Sequence, residues 1–159
     1  VLSTEQEVRL DFGPSITLVR ALMLEYADQL GIDLCFQDFE SEMAMLPGRY
    51  AEPGGGLIVA FVGEQAAGCA AFRPLTPGIC EMKRLYLRAD YRGKGLGRAI
   101  ATAVMDRACA AGYRAMRLDT LSAMKTAIGL YESLGFRQIP PYYDTPLSEC
   151  VFLEASLLR

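Results

Sequence analysis

Cys80-Glu81-Met82-Lys83-Arg84-Leu85-Tyr86-Leu87-Arg88 runs directly into Ala89-Asp90-Tyr91-Arg92-Gly93-Lys94-Gly95-Leu96-Gly97-Arg98. Residues 80–88 read as a β-strand and 93–97 as a glycine-rich turn, and a helical pattern starts at once behind it. The stretch holds Lys83, Arg84, Arg88, Arg92, Lys94 and Arg98 against only Glu81 and Asp90, although the chain has a net charge of -3. A basic strand, turn and helix N-terminus on an acidic chain point to a bound polyanion.

Outward from this stretch, hydrophobic periodicity orders the rest. Residues 7–12 alternate as a half-buried strand. Ile16, Val19, Leu22, Met23, Tyr26 and Leu30 then repeat at helical spacing up to Gly31. A second helix is predicted over 38–46, with Phe39, Met43 and Leu46 on one side. Strands at 57–62 and 66–72 form a hairpin about Gly63-Glu64-Gln65, and 74–78 reads as a loop. Behind the turn come a helix over 97–111 ended by Gly112 and a strand over 114–121. Ser122 then caps a helix carrying Met124, Ala127, Ile128, Tyr131 and Leu134 up to Gly135. Strands at 136–143, with Pro140-Pro141 marking an edge, and at 150–157 close the order. The expected fold is α/β (α+β): a mixed central sheet of about six to seven strands flanked by about four helices. Residues 1–159 are expected to form a single domain, long enough to bury roughly 70% of the unfolded chain's surface.

Composition narrows the function. Apolar residues make up 52% and charged residues 22% of the chain, as in soluble globular proteins. The net negative charge argues against general nucleic-acid binding. No apolar run is long enough to span a bilayer, and Glu5 and Glu7 stand where a signal peptide is basic, so a cytoplasmic protein without membrane partners is expected. Cys35, Cys69, Cys80, Cys109 and Cys150 lack a C-x-x-C pair and read as reduced thiols. The chain has no histidine, which removes His-based metal sites and Ser-His-Asp triads; no metal is expected.

The turn is neither a Walker A loop, since no Gly-Lys is followed by Ser or Thr, nor G-x-G-x-x-G, since Arg98 and Ile100 stand at the last position. Arg92, Gly95 and Gly97 do satisfy Arg/Gln-x-x-Gly-x-Gly/Ala, and one strand later comes Ala127-x-x-Leu130-Tyr131-Glu132-x-Leu134-Gly135-Phe136. In both marks the chain resembles the GNAT superfamily of N-acetyltransferases, most closely over 80–137. The resemblance implies that strands 80–88 and 114–121 splay apart around the pantetheine arm of acetyl-CoA, the acyl-donor substrate. Its main-chain contacts fall near Leu85, Tyr86 and Leu87, with Leu87 N–H as oxyanion donor. The backbone of Gly93, Lys94, Gly95, Leu96, Gly97 and Arg98, behind Arg92, holds the pyrophosphate, and Lys83, Arg84 or Lys94 meets the ribose phosphate.

The same resemblance places a general acid at Tyr131, whose phenol matches a departing thiolate in basicity. Glu81 stands where several members carry a catalytic base, and a salt bridge to a neighbouring cation reads equally well. Many members have Asn where this chain has Met124. The acceptor is an amine. Six acids (Glu25, Asp28, Asp33, Asp38, Glu40, Glu42) crowd the early helices that border the acceptor cleft, either to attract a cation or as a solvated face; Tyr142, Tyr143 and Asp144 are candidates for the opposite wall. A longer acyl-CoA, a hydroxyl acceptor and an idle acyl-CoA-binding module stay open, as does the oligomeric state, a homodimer included.

Overall fold

The computed structural model describes residues 7–31 and 38–158. Asp33 and Cys35 of the sequence reading lie outside the described residues. Strand β1 (Val8–Asp11) leads to helix α1 (Ile16–Leu30), whose first turn is capped by Ser15 Oγ accepting from Leu18 N–H at 3.2 Å. Short helix α2 (Phe39–Ala44) follows, then β2 (Gly56–Val62), β3 (Gln65–Thr76) and β4 (Ile79–Leu87) as an antiparallel meander. Helix α3 (Leu96–Ala110) crosses over to β5 (Ala115–Leu121), and helix α4 (Lys125–Ser133) precedes β6 (Arg137–Ile139) and β7 (Cys150–Ser156).

These strands form one seven-stranded sheet in the order β1-β2-β3-β4-β5-β7-β6. Every neighbouring pair is antiparallel except β4 and β5, as a strand–helix–strand crossover requires. On one face Met116, Leu118 and Phe136 pack under Ile100 and Val104 of α3 and Tyr131 of α4. The other packs Val59, Ala71 and Tyr86 under Leu22 and Met23 of α1 and Phe39 and Met43 of α2.

Two features of β4 open the sheet. Its parallel register with β5 covers only Ile79↔Ala115, Cys80↔Met116 and Glu81↔Arg117. On its other side, Cys69↔Tyr86 and Ala71↔Lys83 set two steps of β3 against three of β4, so β4 carries a bulge. The extra residue falls around Arg84, which adopts φ 61°. Cys80 and Met82 face the α3 side before the bulge, and Leu85 and Leu87 pack against that core after it. The bulge thus reverses the alternation where β4 leaves β5.

Four sequence expectations are corrected. The 74–78 loop is strand as far as Thr76, since Pro74 and Thr76 pair with Cys80 and Ile79; a register shift between them accommodates the proline, which has no N–H to give. The 136–143 strand stops at Ile139, ahead of two prolines that cannot donate to a ladder. Ser122 does not cap α4: its N–H bonds Glu149 O at 2.8 Å, and Met124 occupies the N-cap without a side-chain bond. Leu46 lies beyond α2 yet is buried.

Candidate active site

Where β4 and β5 diverge, a cleft of about 820 Å³ runs between them, floored by α4 and bordered by α1. Leu85, Tyr86 and Leu87 line it from β4 and Leu118 to Leu121 from β5. Past Glu81 the facing edges of the two strands have no ladder partner in each other, so their peptide groups are available to a bound chain.

The mouth of the cleft is the glycine turn. Gly93 and Gly95 adopt φ 76° and 82°, a conformation that costs other residues about 1–2 kcal/mol and that here turns the chain into α3. The first intrahelical bond runs from Ala99 N–H to Gly95 O at 3.2 Å, which leaves the amides of Leu96, Gly97 and Arg98 without helical acceptors. No acidic side chain occupies the first turn of α3. Free amides at the positive end of a fifteen-residue helix fit a phosphate group.

The basic side chains mostly brace this turn. Arg92 donates from Nε to Leu87 O at 2.9 Å and from Nη2 to Gln29 Oε1 at 2.8 Å. Lys94 Nζ donates to Asp90 O at 3.2 Å, and Arg98 is hydrogen-bonded to Ser133 Oγ. Arg92, Gly93, Gly95, Gly97 and Arg98 line the cleft, whereas the Leu96 side chain is buried in the core. Lys83 and Arg84 lie within the protein at 5% exposure each, in ion pairs, and not on the surface where a ribose phosphate would meet them.

Deeper in, Lys83 Nζ of β4 reaches Asp119 Oδ1 of β5 at 3.5 Å, bridging the splay two residues beyond the last parallel pair. Tyr143 donates to Asp119 Oδ2 at 2.6 Å. Desolvation pulls the Lys83 ammonium below its ordinary pKa despite the Asp119 carboxylate. Tyr131 lines the same space and stands edge-on to Phe136 with ring centroids 5.6 Å apart. Its hydroxyl has no hydrogen-bond partner among the described residues, and burial raises its pKa. Tyr26 of α1 lines the opposite side, its phenol pushed up to about 12 by burial. Met124 also lines the cleft and accepts from Thr120 Oγ1 at 3.7 Å, so a thioether stands where an amide was the family expectation.

Glu81 is only 2% exposed, with both carboxylate oxygens engaged: Arg73 Nε donates to one at 3.1 Å and Tyr142 O–H to the other at 2.6 Å. Of its two sequence readings, the salt bridge is the one these contacts form. Arg73 also approaches Glu42 at 3.6 Å, and Glu42 is held by two hydrogen bonds of 3.1 Å from Arg84 and one of 2.8 Å from Tyr50. Burial pushes the Glu42 carboxyl up, but Arg84, Tyr50 and Arg73 together hold it below the usual range.

The acidic run is thus committed at Glu25 and Glu42, two of its six positions. Glu25 is bound by Arg88 at 2.6 and 2.9 Å, Glu42 by Arg84, while Asp28, Asp38 and Glu40 are exposed. On the facing wall Tyr142 and Tyr143 pack on Phe152 with centroids 5.1 Å away, and Asp144 is exposed. Sequence reading missed Tyr26 and the Lys83–Asp119 bridge. The available signal was Asp119 itself, an acid between Leu118 and Leu121 in a strand headed into the core. Among the described residues no group of three or more His, Cys, Asp or Glu could hold a metal ion, and no helix is long and apolar enough to cross a membrane.

A mixed sheet splayed at its one parallel pair, with a bare helix N-terminus at the mouth of the opening, is a fold that solved acetyltransferases share. The model of the Acetyltransferase (GNAT) family matches residues 18–136, and the chain belongs to that family. An uncharacterized N-acetyltransferase of Schizosaccharomyces pombe is 37% identical over 142 residues, covering 88% of this chain and 87% of the relative. One from Escherichia coli is 32% identical over 139 residues, covering 84% and 81%. Among solved structures, an acetyltransferase from Streptococcus agalactiae shares the fold with a TM-score of 0.77 at 20% identity, over 94% of this chain and 98% of that one. Salmonella typhimurium yncA, solved with its cofactor acetyl-CoA, gives 0.71 at 20% identity, over 96% and 95%.

Proposed function

We propose that the chain transfers an acetyl group from acetyl-CoA to a primary amine of a small molecule or protein. The observation that carries this reading is the continuity of the cleft: the α3 amides without helical acceptors at its mouth, strand edges unpaired with each other along its length and Tyr131 in its lining. In this reading the amides of residues 93–98 hold the pyrophosphate, and Leu85, Tyr86 and Leu87 offer main-chain groups to the pantetheine arm. Arg92 orients Leu87 from behind. Main-chain N–H groups of the splayed strand stabilise the tetrahedral oxyanion.

Tyr131, which burial keeps protonated, supplies the proton that the departing thiolate needs; the same desolvation that raises the phenol's pKa also raises the basicity of a thiolate leaving within the cleft. Glu81, locked between Arg73 and Tyr142, supports the acceptor wall formed by Tyr142 and Tyr143. Met124 leaves the coenzyme without an amide contact at that point and gives the wall an apolar surface.

The test is release of free thiol from acetyl-CoA across a panel of primary amines, run beside a thermal-shift titration with acetyl-CoA. Amine-dependent release supports the reading. A thermal shift without release from any amine assigns the chain instead to idle acyl-CoA binding, and release only with a longer acyl-CoA reassigns the donor.

A further inference from the structure

We propose that Lys83, steadied by Asp119 and Tyr143, is the catalytic residue that accepts the proton of the acceptor amine. This inference rests on the transferase reading above and adds the group that the reading lacks, since Glu81 has both oxygens engaged and lies behind the wall. Lys83 and Asp119 both line the cleft, as does Tyr131. The Lys83–Asp119 bridge of 3.5 Å crosses the splay at its inner end, where a chain entering from the glycine turn must stop.

The charged and titratable groups around Lys83 define how it acts. Asp119 of β5 faces it directly, with Tyr143 from the segment before β7 donating to the far carboxylate oxygen. Glu81 and Arg84 of β4 and Arg73 of β3 lie near, with Glu42 of α2 holding the two arginines, and Tyr26 of α1 and Tyr131 of α4 close the space. Desolvation works against the charged amine and outweighs the Asp119 and Glu81 carboxylates that favour it, and Arg84 and Arg73 add repulsion. A lysine in this setting gives up its proton more readily than one in water and is matched to an amine whose proton it must take.

The step balances without any further reactant. The neutral acceptor nitrogen forms a bond to the thioester carbonyl carbon, and Lys83 Nζ takes the proton that this nitrogen gives up. The C–S bond breaks, and the thiolate takes the phenolic proton of Tyr131. Transfer of the Lys83 proton to the phenolate, through solvent, restores both groups. Asp119 stabilises the Lys83 ammonium while it exists, so it is a positioning residue.

Lys83→Arg separates proton acceptance from ion pairing, because a guanidinium keeps the charge beside Asp119 but does not lose its proton in this pH range. Thiol release is measured from pH 6 to 10 with two amines of different basicity, so that a limb shared by both belongs to the enzyme. The wild type is expected to show such a limb, with activity rising as pH rises. Lys83→Arg is expected to lose about 100-fold in kcat/KM and to lose the shared limb. Its thermal shift with acetyl-CoA is expected to persist. Where the larger side chain prevents folding, Lys83→Met, neutral and of similar length, is expected to show the same losses. A variant that folds and keeps wild-type activity, or keeps the shared limb, overturns the inference while leaving the transferase reading intact. A wild-type protein that releases no thiol with any amine overturns both.

Discussion

Arg84 grips Glu42 with two hydrogen bonds of 3.1 Å while its own backbone sits at φ 61°. For a residue other than glycine that backbone costs about 1–3 kcal/mol. The cost persists because the side chain, 3% exposed, has a bidentate partner and the Phe39 ring 5.0 Å from its guanidinium carbon. Helix α2 thus holds the bulge at which β4 departs from β5. Glu42→Ala removes the bidentate carboxylate from a buried guanidinium and is expected to destabilise the fold by about 3–5 kcal/mol. Urea denaturation followed by circular dichroism reads this directly, and a loss below about 1 kcal/mol would remove Glu42 as the holder of the bulge.

The glycine turn yields a paired prediction. Gly95→Ala places a Cβ on a backbone at φ 82°, where nothing crowds it but the conformation itself is strained. It is expected to cost about 1–2 kcal/mol and to weaken the coenzyme response by moving the α3 amides. Gly97→Ala sits on helical backbone, its Cβ 3.5 Å from Leu130 and Leu87, so it is expected to leave stability unchanged and to affect coenzyme binding alone. For the wild type, acetyl-CoA at one hundred times Kd adds about 2.7 kcal/mol. That corresponds to roughly 5–11 °C in melting temperature for a domain of this size. A full shift retained by both variants would refute the turn as the phosphate site.

Tyr131→Phe removes one hydroxyl from a side chain packed on Phe136 and leaves the ring contact in place. Because that hydroxyl has no hydrogen-bond partner among the described residues, the melting temperature is expected to stay within a degree or two of wild type. The expected loss is in kcat, by about 10²–10⁴-fold, with the coenzyme shift unaltered. Steady-state thiol release together with melting of the same preparation checks it, and an unchanged kcat excludes Tyr131 as the proton donor.

The order of elements and the glycine turn were legible because both are local: periodicity within each segment and glycine spacing in the turn. The Tyr131 helix was legible for the same reason, although its start was misplaced. Ser122 is a good cap by type, but its N–H bond to Glu149 O, a contact across 27 positions of chain, ties it to the segment before β7, and the helix takes its N-cap two residues later at Met124. Buried charge was the illegible part. Lys83 and Arg84 look like two exposed cations in a basic run, and their partners Asp119 and Glu42 lie 36 and 42 positions away. The bulge that turns Arg84 inward comes from strand pairing and not from residue type, so no local rule reveals it. Glu81 and Tyr142, 61 positions apart, meet only because the segment after β6 folds back over β4.

Acid stability follows from the same buried pair. The Glu42 carboxyl is held below its ordinary 4.5 in the folded protein, so the unfolded chain binds the proton more tightly. Its contribution is therefore fully present above 4.5 and is lost progressively as pH falls toward the folded value. Glu25 is depressed in the same direction by its Arg88 hydrogen bonds, but at 38% exposure solvent screens that pair. Unfolding free energy measured in urea between pH 7 and 3 is expected to decline below about 4.5 in the wild type. Glu42→Gln, which keeps hydrogen-bonding capacity but cannot ionise, is expected to start lower at pH 7 and decline less steeply. Parallel curves for the two proteins would show that other carboxylates govern acid unfolding.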